Sequence, residues 1–251
     1  MNSPLEWIRE QIEGWEQSAV GLFRERGANE GWPLYADGPA DLKERLLERG
    51  HLLPLPTEPA ALANLLEIEL REHLLAAARA TDGLAVRLGT ERSYPDVEIS
   101  GPAFGGDYFA ADIKCARRAR SGHSLQSSIA LYTGNTYFLW PQLKFSGILR
   151  PYGDYASHLV IVVIYDFHSD RPERISNLRL VAHESWQIAS TKRASATREY
   201  IGSVRRLEEL IDGRGEFDSQ EAFEAYWRAP ARNWKKSPEA EKLLRRALDT
   251  G

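Results

Sequence analysis

The sequence predicts an α/β (α+β) fold in which a mixed central β-sheet is flanked by helices. Residues 59–80 repeat leucine at helical spacing, residues 94–115 form two alternating runs around a glycine-rich turn, and residues 157–167 form a continuous β-branched run. The chain has 251 residues, of which 43% are hydrophobic, so it can bury a full core. No internal repeat or low-complexity linker divides it, which predicts one domain over residues 1–251.

The first part of the chain has helical patterns. Apolar residues recur among charges over residues 4–25, and a second short pattern follows at residues 41–49. The run over 59–80 has a wide leucine stripe, which predicts a long amphipathic helix. Glu67 and Glu69 lie in this run, and periodicity alone favours a solvent-exposed position for a glutamate there.

The two alternating runs within residues 94–115 predict a β-hairpin. Alternation in the second run places Asp112 and Lys114 on one face of its strand, with Ile113 on the opposite face. The hairpin would also carry Asp96, which follows a proline in the first run, close to that pair.

The second half of the chain alternates strand and helix patterns. The run at 157–167 is the most hydrophobic of the sequence, and its β-branched content favours a strand buried on both faces. Alternating runs follow at 175–182 and 184–190, whereas the aromatic segment 131–141 is ambiguous. Three helices are predicted near the end of the chain, at residues 203–212, 219–228 and 237–249.

The composition argues against several classes of protein. Cys115 is the single cysteine, which excludes an internal disulfide framework and a cysteine zinc site, and alternation points it away from Lys114 as a buried small hydrophobe. The histidines lack HxH and HExxH spacing, and no GxSxG motif occurs, so a zinc or serine hydrolase has little support. With no long apolar run and an acidic N-terminus, we expect a cytoplasmic protein of the bacterial intracellular type, with no membrane partner.

The charge pattern leaves a nucleic-acid partner open. The formal net charge is −4, but local clusters matter more than the total. Taken together, three basic clusters favour a groove that follows a phosphate backbone. These clusters are Arg117, Arg118 and Arg120; Lys192, Arg193, Arg198, Arg205 and Arg206; and Arg232, Lys235 and Lys236.

The hairpin carries the candidate chemistry, a PD pair followed sixteen residues later by DxK. Two carboxylates and an ammonium at one sheet edge form a site for a hard cation with an adjacent point charge. In such a site Asp96 and Asp112 would coordinate Mg²⁺, and Lys114 would orient or deprotonate the attacking water and stabilise the pentavalent phosphate. This arrangement suits metal-assisted phosphodiester cleavage.

Beyond this short motif, the chain resembles the EcoRV-like type II restriction endonucleases of the PD-(D/E)xK nuclease superfamily. The resemblance implies a restriction-endonuclease-like core, with residues 1–57 as an N-terminal dimerisation region, 58–190 as the catalytic core, and 191–251 as a DNA-recognition loop and C-terminal helices. The segments that carry it are GHLLPLPTEPAALANLLE (50–67), PYGDYASHLVIVVIY (151–165), WQIAS and IGSV within 186–204, and DGRGEFDSQEAFEAYWR (212–228).

The resemblance also implies roles for particular residues. Glu67, rather than Glu69, would complete the metal site with Asp96 and Asp112, and these three with Lys114 would form the catalytic set. A homodimer would cut double-stranded DNA at a short palindromic site, with Mg²⁺ as cofactor, blunt ends, and a cognate DNA methyltransferase as a partner of the system. The residues implied in DNA binding are Thr136, Lys192, Arg193, Ala194, Ser195, Ala196, Thr197 and Arg198.

The resemblance implies that STKRASATREY (190–200), here called the reading loop, contacts the DNA major groove, and this loop departs from the family pattern. Ala194 and Ala196 stand where the family has glycines, and Thr197 and Arg198 replace a different polar pair. An arginine here could donate two hydrogen bonds to O6 and N7 of guanine. We therefore expect a target sequence different from that of EcoRV.

Two other functions remain open from the sequence. One is a structure-specific or repair nuclease on the same core, and the other is a DNA-binding protein without catalysis. The long basic loop argues against the first, and the intact Asp96, Asp112 and Lys114 argue against the second.

Overall fold

A computed structural model describes residues 3–13, 15, 38–41, 58–90, 93–132, 136–170, 174–197, 200–229 and 238–249. The described chain is a mixed α/β structure with a central sheet flanked by helices, as the sequence predicts. Its strands are β1 (Ala85–Leu88), β2 (Val97–Ser100), β3 (Tyr108–Arg117), β4 (Ala130–Tyr132), β5 (Ser157–Phe167), β6 (Ile175–Glu184), β7 (Ala189–Arg193) and β8 (Ile201–Ser203).

The α-helices lie before, between and after the strands. They are α1 (Pro4–Glu13), α2 (Pro59–Arg79), α3 (Thr136–Leu139), α4 (Leu207–Asp212), α5 (Gln220–Arg228) and α6 (Pro238–Asp249). Short 3-10 turns are formed by Pro102–Phe104, Tyr152–Asp154 and Ser185–Ile188.

Five strands form the central sheet, in the order β1-β2-β3-β5-β6. The β3–β5 pair is parallel and the other pairs are antiparallel, so the sheet is mixed. A parallel pair needs a long connection, which residues 118–156 supply. A second sheet of three strands, in the order β4-β8-β7, is formed partly within this connection and partly by the chain after β6.

The central sheet is covered on both faces. On one face α1 and α2 pack their leucine, isoleucine and tryptophan side chains against the inward residues of β2, β3 and β5, including Val97, Ile113 and Ile161. On the other face Val160 and Val162 contact an aromatic cluster from the second sheet, α3 and α5. Burial on both sides explains why β5 is one continuous apolar run.

Several predicted elements are confirmed with small shifts in their ends. The strand at 157–167 and the hairpin around residues 101–107 form as predicted, and the helix predicted over 59–80 ends at Arg79. Ser219 caps α5, since its hydroxyl accepts a hydrogen bond of 3.2 Å from the Ala222 amide.

Other predictions were wrong or incomplete. The run at 184–190 was predicted to alternate as a strand, but Ser185–Ile188 form a 3-10 turn and β7 begins only at Ala189. Strand β1 was missed, and the ambiguous segment 131–141 contains the end of β4 and then α3. The helix predicted over 4–25 is described as far as Glu13, and most of the helix predicted over 41–49 lies outside the described residues.

His158, near the start of β5, is a core histidine. Its Nδ1 lies 2.6 Å from the Tyr94 hydroxyl, and its ring stacks on Tyr152 with centroids 3.6 Å apart. Burial lowers the pKa of His158 from 6.5 to about 3, so the ring is neutral in the folded protein at neutral pH.

The neutral state of His158 predicts a loss of stability in mild acid. Between pH 6.5 and pH 3 the unfolded chain binds a proton at this site that the folded chain does not bind. Unfolding therefore becomes easier as the pH falls, by about 2 kcal/mol at pH 5. Urea unfolding of the wild type and of His158→Gln at pH 7.5 and pH 5 measures the effect, and the variant should lose less stability than the wild type between these pH values.

His123, which is exposed, supplies the matched control. His123→Gln should keep the pH dependence of the wild type. Equal pH dependence in His158→Gln and the wild type would contradict the assignment of a neutral buried ring.

Candidate active site

The hairpin brings the PD and DxK motifs together. Strands β2 and β3 pair antiparallel, and their ladder ends where Val97 lies opposite Ala111. Asp96 is the next residue beyond that end, and its Oδ2 accepts a hydrogen bond of 2.7 Å from the Ile113 amide. The Asp96 carboxylate is thereby fixed beside the residues of β3 that follow the ladder.

Alternation along β3 separates the catalytic candidates from the core. Ile113 packs in the cluster under α2, so Asp112 and Lys114 project from the opposite face, as predicted. The Lys114 ammonium forms an ion pair with Asp112 Oδ2. Cys115 points away from Lys114, with its Sγ 3.4 Å from the Ala63 carbonyl oxygen on α2, and burial raises its pKa to about 12.

Helix α2 supplies a third carboxylate. Glu67 is partly buried and lines one cavity of about 660 Å³ together with Asp96, Asp112 and Lys114. Glu69, two residues later on the same helix, is half-buried as Glu67 is but does not line this cavity. The periodicity-based expectation of a fully solvent-exposed glutamate therefore fits neither residue completely, and what distinguishes Glu67 is that it faces the cavity.

The charges in the cavity are strongly coupled. Burial and the negative charge of Asp112 raise the pKa of Asp96 from 3.8 to about 8. Burial also raises the pKa of Glu67, although Lys114 and Arg71 oppose that effect. For Lys114 burial favours the neutral amine, but the carboxylates of Asp112, Asp96 and Glu67 outweigh it and raise its pKa, so the ammonium keeps its proton.

Sequence reasoning missed several residues of the cavity wall. Arg71 lies one turn after Glu67, its Nη1 3.6 Å from Glu67 Oε1, and its guanidinium also donates to the Gly89 carbonyl. The i,i+4 spacing from Glu67 was the sequence signal for this contact. Tyr137 also lines the cavity and stacks on Tyr94 at 4.5 Å between centroids, a contact that no sequence pattern indicated.

The donor set suits a hard cation. Three carboxylates face the cavity, and oxygen ligands are what Mg²⁺ and Ca²⁺ prefer. Burial and the negative charge of Asp112 raise the pKa of Asp96, and a divalent cation would offset that charge. Among the described residues, no group of three His, Cys, Asp or Glu side chains is arranged to hold a metal ion, and Asp112 pairs with the Lys114 ammonium instead.

The predicted reading loop connects β7 and β8 of the second sheet. The loop begins with a hydrogen bond of 2.9 Å from the Ala194 amide to the Tyr200 carbonyl. Lys192, Ala196 and Thr197 are exposed, and Arg198 lies outside the described residues. Arg193, Ala194 and Ser195 complete the described part of the predicted set.

The loop is anchored firmly at its base. Glu216 Oε2 accepts hydrogen bonds of 2.7 and 2.6 Å from the Thr191 amide and hydroxyl. Gly202 on β8 allows the two strands to approach, because a Cβ there would lie 2.5 Å from the Lys192 carbonyl oxygen. An exposed tip on a fixed base is the usual form of a binding loop.

Thr136, the remaining DNA-binding prediction, begins α3. It is partly exposed, and the next residue, Tyr137, lines the catalytic cavity. Neither Thr136 nor the loop residues that the structure describes line the cavity themselves. The structure therefore gathers Glu67, Asp96, Asp112 and Lys114 at one site and leaves the reading loop on a separate sheet.

No helix among the described residues is long and apolar enough to cross a membrane.

Comparisons with known proteins agree with this geometry. The family described as restriction endonuclease EcoRV matches residues 28–247. The type II restriction enzyme EcoRV of Escherichia coli is 22% identical over 195 residues, which cover 71% of this chain and 78% of that protein. The chain therefore belongs to the EcoRV restriction endonuclease family and is a type II site-specific deoxyribonuclease.

Proposed function

We propose that the protein is a homodimeric, Mg²⁺-dependent endonuclease that cuts double-stranded DNA within a short palindromic site and leaves blunt ends. The observation that carries the proposal is the meeting of Glu67, Asp96, Asp112 and Lys114 in one cavity between α2 and the hairpin. Three carboxylates with one ammonium match the needs of metal-assisted phosphodiester hydrolysis.

In this proposal Asp96, Asp112 and Glu67 hold the metal. When bound, Mg²⁺ would lower the pKa of a water molecule and offset charge on the phosphate oxygens. The Ile113 amide keeps Asp96 oriented toward the cavity, since it occupies Oδ2 with a hydrogen bond of 2.7 Å. Glu67 is held by Arg71, which ties it to the loop at Gly89.

Lys114 acts as a cation in this mechanism. Its ammonium is surrounded by carboxylates that raise its pKa, so it holds its proton at neutral pH. A protonated lysine can donate hydrogen bonds to the attacking water and to a phosphate oxygen, and it stabilises the negative charge of the pentavalent phosphate. This role favours orientation of the water by Lys114 over its deprotonation.

In this proposal the β7–β8 loop and Thr136 recognise the DNA sequence. The exposed Lys192 and Thr197 stand on a base fixed by Glu216, which suits contact with a DNA groove. Arg198 is proposed to read guanine, since a guanidinium fits O6 and N7 of that base. Arg193, Ala194, Ser195 and Ala196 would shape the rest of the contact.

A palindromic target calls for a two-fold symmetric protein, because each subunit then reads one half-site. Residues 1–57, proposed as the dimerisation region, lie largely outside the described residues. A restriction enzyme also needs a partner methyltransferase that protects the host DNA at the same site. Sedimentation or light scattering of the purified protein would measure the proposed dimer.

Removal of the catalytic groups should abolish site-specific cutting. With plasmid and phage DNA in Mg²⁺, the wild type should give discrete bands, and Asp112→Asn should give none. Lys114→Gln should lower kcat by about 10²–10³-fold, because it removes one charged donor to the transition state. Gel electrophoresis of timed digests measures both effects.

Glu67 and Glu69 form a matched pair on α2. Glu67→Gln should weaken the response to Mg²⁺ and slow cutting, whereas Glu69→Gln should cut as the wild type does. Equal loss in the two variants would contradict the assignment of Glu67 to the metal.

The wild-type digest also separates the alternative functions. Structure-dependent cutting or a smear would support a repair-type nuclease, and a gel shift without cutting in Mg²⁺ would support a DNA-binding protein without catalysis.

Arg198→Ala should relax the choice of one base pair. Loss of a bidentate contact to guanine should cost about 1–3 kcal/mol of discrimination at that position. Cleavage competition among duplexes that differ at single positions measures the change. A uniform loss of binding across all duplexes would make Arg198 a phosphate contact. Arg193→Ala, five positions earlier at the end of β7, provides the comparison.

A further inference from the structure

A charged cluster lies beside the catalytic cavity on the same face of the sheet. Glu98 follows Asp96 by two residues on β2, and its register partner Ala110 precedes Asp112 by two residues on β3. Side chains two residues apart on a strand share a face and lie about 7 Å apart. This separation is about one to two times the distance between successive phosphates along a DNA strand.

Glu98 is the buried anchor of this cluster. It is 3% exposed, and both of its oxygens accept from the Arg150 guanidinium, at 2.7 and 3.1 Å. The Tyr155 hydroxyl donates to Glu98 Oε2 at 2.9 Å, and Arg150 stacks on Tyr108 with its Cζ 3.3 Å from the ring centroid. The guanidinium is therefore held by Glu98 and Tyr108, and Tyr155 in turn fixes Glu98.

Two further cations lie near Glu98 at the protein surface. Arg87 lies directly opposite Glu98 on β1 and is exposed. Lys144 is also exposed, and its ammonium donates to the carbonyl oxygens of Ile148 and Leu149. Burial, and then the positive charges of Arg87 and Arg150, lower the pKa of Lys144, so the three cations lie close enough to repel one another.

Acidic groups also lie near these cations. Glu98 is occupied by Arg150 and Tyr155, Asp154 acts on Lys144, and Glu239 Oε1 accepts a hydrogen bond of 3.1 Å from the Ser146 amide in the same loop. In the cluster of Arg87, Lys144 and Arg150, here called the basic patch, Arg87 and Lys144 are exposed and accessible to a phosphate. Its loop continues into the cavity wall, because Ser146, Gly147 and Ile148 line the cavity.

We propose that the basic patch binds a phosphate of the DNA backbone next to the phosphate that is cleaved, with Arg150 positioned by Glu98. This assignment rests on the proposed function, since it takes the cavity as the site of cleavage. A phosphate at this position would relieve the repulsion among the three cations and would fix the register of the cut strand on the sheet. The patch lies on the opposite face from the leucine stripe of α2 and is separate from the reading loop.

The test measures the salt dependence of DNA binding in Ca²⁺, with a duplex that carries the mapped cleavage site. Arg87→Gln and Lys144→Gln should each weaken binding and reduce the slope of log K against log salt by about 1. Arg79→Gln is the matched control, because Arg79 is an exposed cation at the end of α2, and it should keep the slope of the wild type. Arg150 is left intact because its removal would leave the buried carboxylate of Glu98 without an ion-pair partner.

A second measurement locates the phosphate. Single phosphates beside the mapped cut are replaced in turn by neutral methylphosphonates. The wild type should lose affinity at one of these positions, and Arg87→Gln should lose no further affinity there. Unchanged salt slopes in both variants, or additive losses at every methylphosphonate position, would overturn the assignment.

Failure of this assignment differs from failure of the proposed function. If the wild type does not cut DNA in Mg²⁺, the proposed function fails. If the wild type binds and cuts but the patch variants match Arg79→Gln, only the basic patch assignment fails.

Discussion

The hydrogen bond from the Ile113 amide to Asp96, at 2.7 Å, connects the fold to the chemistry. The β2–β3 ladder ends at Val97 and Ala111, so the backbone of β3 beyond that point has no partner strand on the β2 side. A buried amide needs an acceptor, and the Asp96 carboxylate supplies one. The same contact that completes the backbone hydrogen bonding thus brings the carboxylate beside Asp112 and Lys114.

The opening of the ladder also creates the cavity that these groups line. Glu67 reaches it from α2, and Ser146, Gly147 and Ile148 reach it from the loop before β5. The site is therefore built from three parts of the chain that are also bonded to one another, since the Tyr94 amide donates to the Gly147 carbonyl and Arg71 of α2 donates to the Gly89 carbonyl. Fixed supports around the reactive groups keep them in position, which a catalytic arrangement requires.

The electrostatics of the site favour ligand binding over stability. Asp96, Asp112 and Glu67 face one cavity, and burial with mutual repulsion raises the pKa of Asp96 to about 8. Lys114 and Arg71 offset part of this repulsion. Functional sites often keep such unfavourable groups together, because the ligand supplies the missing opposite charge.

Periodicity and motif spacing by themselves determined the mixed fold class, the bounds of β5, the hairpin, and the side of β3 that carries Asp112 and Lys114. These features follow from local alternation and burial, which a sequence displays directly. Periodicity treated Glu67 and Glu69 alike, and it was the family resemblance that favoured Glu67. Nothing in the sequence linked Glu98 with Arg150. The tertiary structure decided the place of Glu67 in the cavity and the make-up of the basic patch, because α2 packs beside the hairpin and residue 150 returns to the sheet some fifty positions after Glu98.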